Sequence, residues 1–230
     1  MLKKVYEILF QAYGNQGWWP LSRGLYSRHH QGHPKNNQQK FEICVGAILT
    51  QNTSWANVEK ALFNLNKNHS LPLPAINQIN KNKLAELIKP SGYYNMKALK
   101  LKALAKFFSE NSFEIISAEE NLRRTLLSVY GIGEETADSI LLYAFEKPFF
   151  VIDAYTKRIF SRVLGKNFNK YSDWQLFFMK NLESDAEMFK EYHALIVEHA
   201  KQHCRKKPLC GSCCLSKECN HALTASNNAI

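Results

Sequence analysis

The stretch NLRRTLLSVYGIGEETADSILLYAF, residues 121–145, decides the fold. A helical pattern leads into Gly131-Ile132-Gly133, and a second leads out through Glu134 and Glu135. A tight turn between two helices needs glycine, because one or both of Gly131 and Gly133 must take φ values closed to other residues. Such a turn points backbone N–H groups outward at the start of the second helix, where they and the helix dipole hold a phosphate. Two glutamates in a phosphate grip look out of place. The grip is made by backbone, however, so neighbouring side chains need not be basic, and negative charge in a first turn favours the helix itself. Taken alone, the stretch also fits an ordinary turn between packed helices.

Working outward, the periodicity is helical nearly throughout. Leu2, Val5, Tyr6, Leu9, Phe10 and Tyr13 form an i, i+3, i+4, i+7 stripe that Gly14 stops. FEICVGAILTQ, residues 41–51, is apolar on nearly all sides and reads as a buried helix. TSWANVEKALFNL follows with Thr53 or Ser54 as its cap. A linker with Pro72 and Pro74 precedes KLAELIK, and the PSGYYN turn precedes a basic amphipathic helix, MKALKLKALAKFF. VIDAYTKRIFSRVL, DWQLFFMKNL and a long segment from Ala186 to His203 complete the helices, and the polar tail after Cys219 is expected to fray. No alternating strand pattern, internal repeat or low-complexity tract interrupts this. The fold class is all-α.

The chain has 230 residues, of which 45% are hydrophobic, enough for one large or two small domains. Lys and Arg number 30 against 20 Asp and Glu, a net charge of +10 with a pI near 9.3. That excess points to a polyanion, nucleic acid first and an acidic membrane surface second. No apolar run approaches the roughly 18 residues of a spanning helix, and the N-terminus is too short and too charged for a signal peptide. A cytoplasmic protein is expected.

Five of the six cysteines crowd into one segment, with the spacing Cys204-x5-Cys210-x2-Cys213-x5-Cys219 and Cys214 spare. A secreted disulfide scaffold would spread its cysteines, so clustering favours a metal site. Four thiolates within this short segment can wrap one compact iron–sulfur cluster. Structural zinc is the rival, although it more often uses two CxxC knuckles and only one C-x2-C occurs here. Arg205, Lys206 and Lys207 lie inside the loop and could reach phosphates. Cys44 lies in the apolar helix as filler.

Twenty residues after Gly133 the apolar strip FFVI feeds Asp153 into the start of a new helix. Helix, Gly-x-Gly, helix, then an aspartate at a helix N-terminus resembles the endonuclease III-like helix-hairpin-helix DNA glycosylases. FEICVGAILTQNTSW and PSGYYNMKALKLKALA match that pattern in the same order, so the resemblance covers the chain from about Phe41 to Cys219. It implies a helical barrel over residues 33–145 and a discontinuous domain of residues 1–32 and 146–230, with double-stranded DNA in a cleft between them. It also implies a [4Fe–4S] cluster on the loop 204–219, although the family's usual first interval is six residues rather than five. A monomer is the family's default. Gly131 and Gly133 would grip a phosphate, Lys157, Arg158 and residues 205–207 would add electrostatic affinity, and Gln51 would wedge into the gap left by a flipped base. Affinity should then fall steeply with salt.

Bifunctional members of this family attack the sugar through a lysine two residues after the second glycine of the hairpin. Here that residue is Glu135, which cannot form a Schiff base. The resemblance therefore implies a monofunctional enzyme in which Asp153 stabilises an oxocarbenium-like transition state and orients water. Trp18, Trp19, Pro20 and Trp55 resemble the base pocket of the 3-methyladenine glycosylase branch, which also places a lysine near the aspartate, here Lys201. Adjacent tryptophans cannot both face one core, and a flipped cationic purine suits their π faces. The alternatives are a glycosylase/lyase for oxidised pyrimidines, a non-catalytic DNA-binding module and an adenine-mismatch glycosylase.

Overall fold

The computed structural model describes residues 1–21 and 33–227; residues 22–32, in the polar and basic segment between the first helix and the apolar run from Phe41, lie outside the described residues. In chain order the helices are α1 (Leu2–Tyr13), α2 (Asn37–Leu49), α3 (Trp55–Lys67), α4 (Leu73–Gln78), α5 (Lys81–Leu87), α6 (Tyr94–Glu110), α7 (Phe113–Ala118), α8 (Leu122–Leu127), α9 (Glu134–Ala144), α10 (Ala154–Leu164), α11 (Tyr171–Asn181), α12 (Ala186–Gln202) and α13 (Asn220–Asn227). Among the described residues there is no strand. The chain forms two compact units, residues 19–147 and residues 1–18 with 148–230.

The unit of residues 19–147 is built around α2. Asn36 caps it by accepting the Gln39 N–H at 3.0 Å, and every residue from Phe41 to Leu49 is buried. A helix apolar on all sides needs neighbours on all sides, and α9, α6 and α3 supply them. Each large apolar side chain so enclosed contributes about 1.5–3 kcal/mol. At one end Phe108 stacks on Phe113 with ring centroids 4.4 Å apart. Pro72 and Pro74 do not mark an open linker: Pro72 is the N-cap and Pro74 stands in the first turn of α4, where a missing N–H costs nothing.

In the other unit α1 lies on α12, with Leu2, Val5 and Leu9 buried. The Tyr192 hydroxyl donates to the Leu2 carbonyl at 2.8 Å. Helices α10 and α12 also pack together. As far as the described residues go, the tail after Cys219 is helical rather than frayed, because α13 packs on α10 and buries Ala222. Residues 150–152 run extended and buried into α10. The Gln175 side chain donates to the Phe150 carbonyl at 2.9 Å, and the Ile152 N–H donates to the Tyr171 hydroxyl at 3.2 Å. That anchoring sets the position of Asp153.

Candidate functional site

The hairpin joins α8 to α9. Gly131 has φ +85°, and a Cβ there would lie 2.2 Å from Lys100 Cγ. Gly133 is different: it is the N-cap of α9 with φ −96° and ψ −178°, which any residue can adopt. A Cβ on Gly133 would meet nothing within 4 Å. Only Gly131 is therefore demanded by backbone conformation, while Gly133 leaves open space beside the first turn of α9. The N–H groups of that turn have no carbonyl within their own helix.

The acidic residues after the turn have identifiable tasks. Arg123, on α8, makes a bidentate pair with Asp138, Nε to Oδ1 at 2.7 Å and Nη2 to Oδ2 at 3.0 Å. Asp138 is fully buried, and Glu134 stands 3.6 Å from the same guanidinium. Arg123 thus ties the two helices of the hairpin together. Glu135 is exposed, and its backbone carbonyl accepts from the Ser139 hydroxyl at 2.7 Å.

Gln51 sits just past the end of α2 and reaches this hairpin. Its amide donates to the Gly131 carbonyl at 3.1 Å and to Thr136 Oγ1 at 3.0 Å, while its oxygen accepts from Lys100 Nζ at 2.5 Å. Lys97 lies beneath, 2% exposed, with Nζ donating to the carbonyls of Leu49 and Ser91 at 2.8 and 2.7 Å. Burial, with Lys100 adding, pulls its pKa down to about 8. Both lysines come from the basic helix α6. The sequence singled that helix out as amphipathic but not these two residues, because which lysine faces inward depends on the partner surface.

Trp19 and Trp55 meet edge to face, with centroids 5.5 Å apart and planes at 87°. Trp19 is 3% exposed and lies against Tyr143 and the Gly46 backbone, where an added Cβ would be 2.8 Å from Cζ2. Trp55 is half-buried, its indole N–H donating to Glu59 Oε1 at 2.8 Å. Pro20 is buried beside Trp19. Trp18 is half-buried and belongs to the other unit. Of the two tryptophans in residues 19–147, Trp19 is the buried one and Trp55 the more exposed.

Asp153 is the N-cap of α10, its Oδ1 accepting the Thr156 N–H at 2.7 Å. Its Oδ2 stands 3.7 Å from His193 Nε2 on α12, and the two side chains are 13% and 9% exposed. Burial alone would raise the carboxyl pKa. The neighbouring His193 and the Thr156 N–H outweigh it and hold Asp153 below the usual aspartate value, hence ionised at neutral pH. The resemblance set Lys201 near Asp153; the side chain found against the carboxylate is that of His193. His193 faces the carboxylate, and Lys201 is exposed at the other end of the helix, eight residues or about 12 Å of rise further on. In the sequence His193 looks like a core histidine in an apolar helix, and only the packing of α10 on α12 reveals its neighbour.

The cysteine segment borders one pocket of about 340 Å³ including its open mouth, lined by Cys204, Cys210, Cys213 and Cys219 together with apolar side chains, Arg162, His199, His203 and His221. Cys214 is not among its lining residues. Among the described residues no three cysteine sulfurs lie within 4.8 Å of one another. Four thiolates on a single zinc would be about 3.8 Å apart, given a Zn–S bond of about 2.3 Å. Arg158 braces the loop: Nε donates to the Cys204 carbonyl at 2.8 Å, and the guanidinium lies over Tyr155. Arg162, which the sequence reading passed over, donates to Cys204 Sγ at 3.2 Å and to the carbonyls of Arg205 and Lys206 at 2.7 and 2.9 Å. Arg205 folds back onto the Lys201 carbonyl at 2.8 Å. Lys206 and Lys207 are exposed, and Lys157 Nζ lies 5.6 Å from the Tyr171 ring centroid.

A helical protein with a glycine turn between two helices and a buried, ionised aspartate at a helix start matches the pattern of the helix-hairpin-helix DNA glycosylases noted in the sequence. Comparison with known proteins bears this out: residues 45–184 match the model of the HhH-GPD superfamily of base excision DNA repair proteins, and the chain belongs to that family. It is 47% identical over 229 residues to a protein of Methanocaldococcus jannaschii provisionally named a DNA repair glycosylase, covering 94% of this chain and 97% of that one. It is 29% identical over 192 residues to endonuclease III of Sulfolobus acidocaldarius, covering 82% and 85% of the two chains. Among solved structures it is similar to H. pylori 3-methyladenine DNA glycosylase bound to 1,N6-ethenoadenine, with a TM-score of 0.70, 33% identity, and 87% and 95% of the chains covered. A trapped endonuclease III–DNA intermediate superposes with a TM-score of 0.76 at 17% identity over 98% and 99% of the chains, which shows the shared fold. The protein is therefore a base excision repair DNA glycosylase acting on DNA. No helix among the described residues is long and apolar enough to cross a membrane.

Proposed function

We propose that the protein is a monofunctional glycosylase that hydrolyses the N-glycosidic bond of an alkylated purine such as 3-methyladenine in duplex DNA. One observation carries this reading. The hairpin position two residues past Gly133 holds an exposed carboxylate, Glu135, and the nitrogen facing Asp153 belongs to an imidazole, His193. Neither group can form a Schiff base with the sugar, so water is the nucleophile. Asp153, held ionised, stabilises positive charge developing on the sugar and orients the attacking water. His193 is a positioning residue that holds the carboxylate. An alkylated purine suits this apparatus because it is cationic and its departure neutralises it. Trp55 offers a π face to such a base, and Glu59 fixes the indole and lends negative charge. The similarity to the 3-methyladenine glycosylase at 33% identity supports the same substrate class.

Cys204, Cys210, Cys213 and Cys219 would hold a [4Fe–4S] cluster. Their shared pocket and the single C-x2-C spacing support a multi-iron cluster over a single zinc. Such a group, when bound, supplies a redox-active brace. The chain's own part is done by Arg158 and Arg162, which hold the loop's carbonyls and leave Lys206 and Lys207 at the surface for phosphates.

The test uses duplex DNA carrying radiolabelled methyl groups. The expected result is release of free methylpurine, with strand breaks appearing only after alkali. Breaks without alkali, or a borohydride-trapped adduct, would establish a lyase amine and overturn the monofunctional reading. Absence of any released methylpurine would overturn the substrate class.

A further inference from the structure

A chain of rings runs from the end of α1 to the cysteine pocket. The Tyr13 hydroxyl lies 2.8 Å from His199 Nδ1 and 3.0 Å from His203 Nδ1. His199 Nε2 lies 3.6 Å from Cys213 Sγ. His199 is 1% exposed and its ring is nearly parallel to that of His203, at 17°.

Counting protons orders this chain. Tyr13 has one hydroxyl proton and can donate to only one of the two imidazoles, so the other must donate to its oxygen. If His199 gave its proton to Tyr13, a bare nitrogen lone pair would face the sulfur of Cys213. That is unfavourable opposite a thiolate, which is the form in which cysteine binds metal. The opposite order pairs every atom: His203 Nδ1–H donates to Tyr13, Tyr13 donates to His199 Nδ1, and His199 Nε2–H donates to Cys213 Sγ. Cys214 Sγ, which also neighbours the Tyr13 hydroxyl and lies 3.9 Å from His199 Nδ1, is the weaker partner for both groups, sulfur being a poor donor and acceptor.

We infer that Tyr13 and His199 are positioning residues that present an N–H donor to the sulfur of Cys213 and thereby set the reduction potential of the cluster held there. This rests on the reading of the four cysteines as cluster ligands. Reduction adds one electron to the cluster and makes and breaks no bond at these residues. The added negative charge is shared with the ligand sulfurs, so a donor aimed at one of them favours the reduced state. The N-terminal helix α1 then belongs to the cluster site, although the sequence separates it from Cys213 by some 200 residues.

The experiment measures iron content, visible absorbance and reduction potential on the full-length wild type, His199→Phe and Tyr13→Phe. With iron retained, His199→Phe is expected to shift the potential negative, by about a tenfold change in the ratio of oxidised to reduced cluster, which is 59 mV for one electron. Tyr13→Phe, which keeps the ring and loses only the hydroxyl, should shift it in the same direction by less. Should His199→Phe not fold, Tyr13→Phe decides alone. Iron retained with the potential unchanged in the folded variants would overturn this inference and leave the cluster reading intact. A wild type that binds no iron would overturn the cluster reading itself.

Discussion

The two glycines of the hairpin should respond to the same substitution in opposite ways. At Gly131, alanine must adopt φ +85°, which costs about 1–2 kcal/mol for a residue with a Cβ. The new methyl also strikes the Lys100 stem, 2.2 Å away at Cγ. Lys100 would have to swing aside and release Gln51, a further loss of about 1 kcal/mol for one hydrogen bond. The sum is about 2–3 kcal/mol, and for a chain of this size the melting temperature should fall by roughly 4–12 °C. At Gly133 the backbone is extended and the space is open. Alanine there loses a little as a helix cap and gains about 0.4–1 kcal/mol from a stiffer unfolded chain, so stability should change by less than about 0.5 kcal/mol. The methyl would instead occupy the space through which a phosphate reaches the N–H groups of α9. Losing one charge-assisted hydrogen bond of about 1.5–3 kcal/mol weakens DNA binding by roughly 10- to 150-fold. Thermal melts and fluorescence-anisotropy titrations on undamaged duplex DNA separate the two effects. A Gly133→Ala variant that binds as the wild type does, or a Gly131→Ala variant with an unaltered melting temperature, would refute the assignment.

Three other substitutions have defined outcomes. Asp153→Asn should retain DNA affinity within about threefold and lose base release by two orders of magnitude or more, the scale of removing a positioned catalytic group; single-turnover release of labelled methylpurine reads this. The Asp153 carboxyl is held below its unfolded value of about 3.9, so its ionisation and its contribution to stability persist at higher pH and vanish only as pH falls through the lower folded value. The pH profile of base release should therefore show no acid limb from Asp153 between pH 5 and 7, and an acid limb there that disappears in Asp153→Asn would contradict this. His193→Gln should lower the single-turnover rate without altering DNA affinity, and an unchanged rate would remove His193 from the site. Arg123→Met leaves Asp138 charged and fully buried; breaking such a pair costs about 3–5 kcal/mol, which chemical denaturation measures. Arg123→Met combined with Asp138→Leu should recover much of that loss.

The helices were readable because their signals are local. An apolar stripe, a capping residue or a glycine acts on its own few neighbours, and α9 and α12 lie where those signals put them to within a residue, whereas α2 begins at Asn37, before the apolar run from Phe41 that announced it. Pro72 and Pro74 misled because a proline at a helix start and a proline in a linker look alike in one dimension. The tail misled because α13 owes its order to α10, far away in sequence.

By itself the sequence determined the helical class, the hairpin, the aspartate at a helix start, the clustering of four cysteines and the carboxylate at Glu135. Each depends on residue type and short spacing. Tertiary structure alone decided the partners: His193 rather than Lys201 for Asp153, Arg123 for Asp138, Lys100 and Thr136 for Gln51, and Tyr13 and His199 for the cysteine pocket. Each of these side chains is polar and sits on a helix whose orientation is set by apolar burial, a non-directional force with no signature at the polar residue it happens to aim. The polar groups that matter chemically are therefore placed by apolar packing around them, even where they are themselves buried.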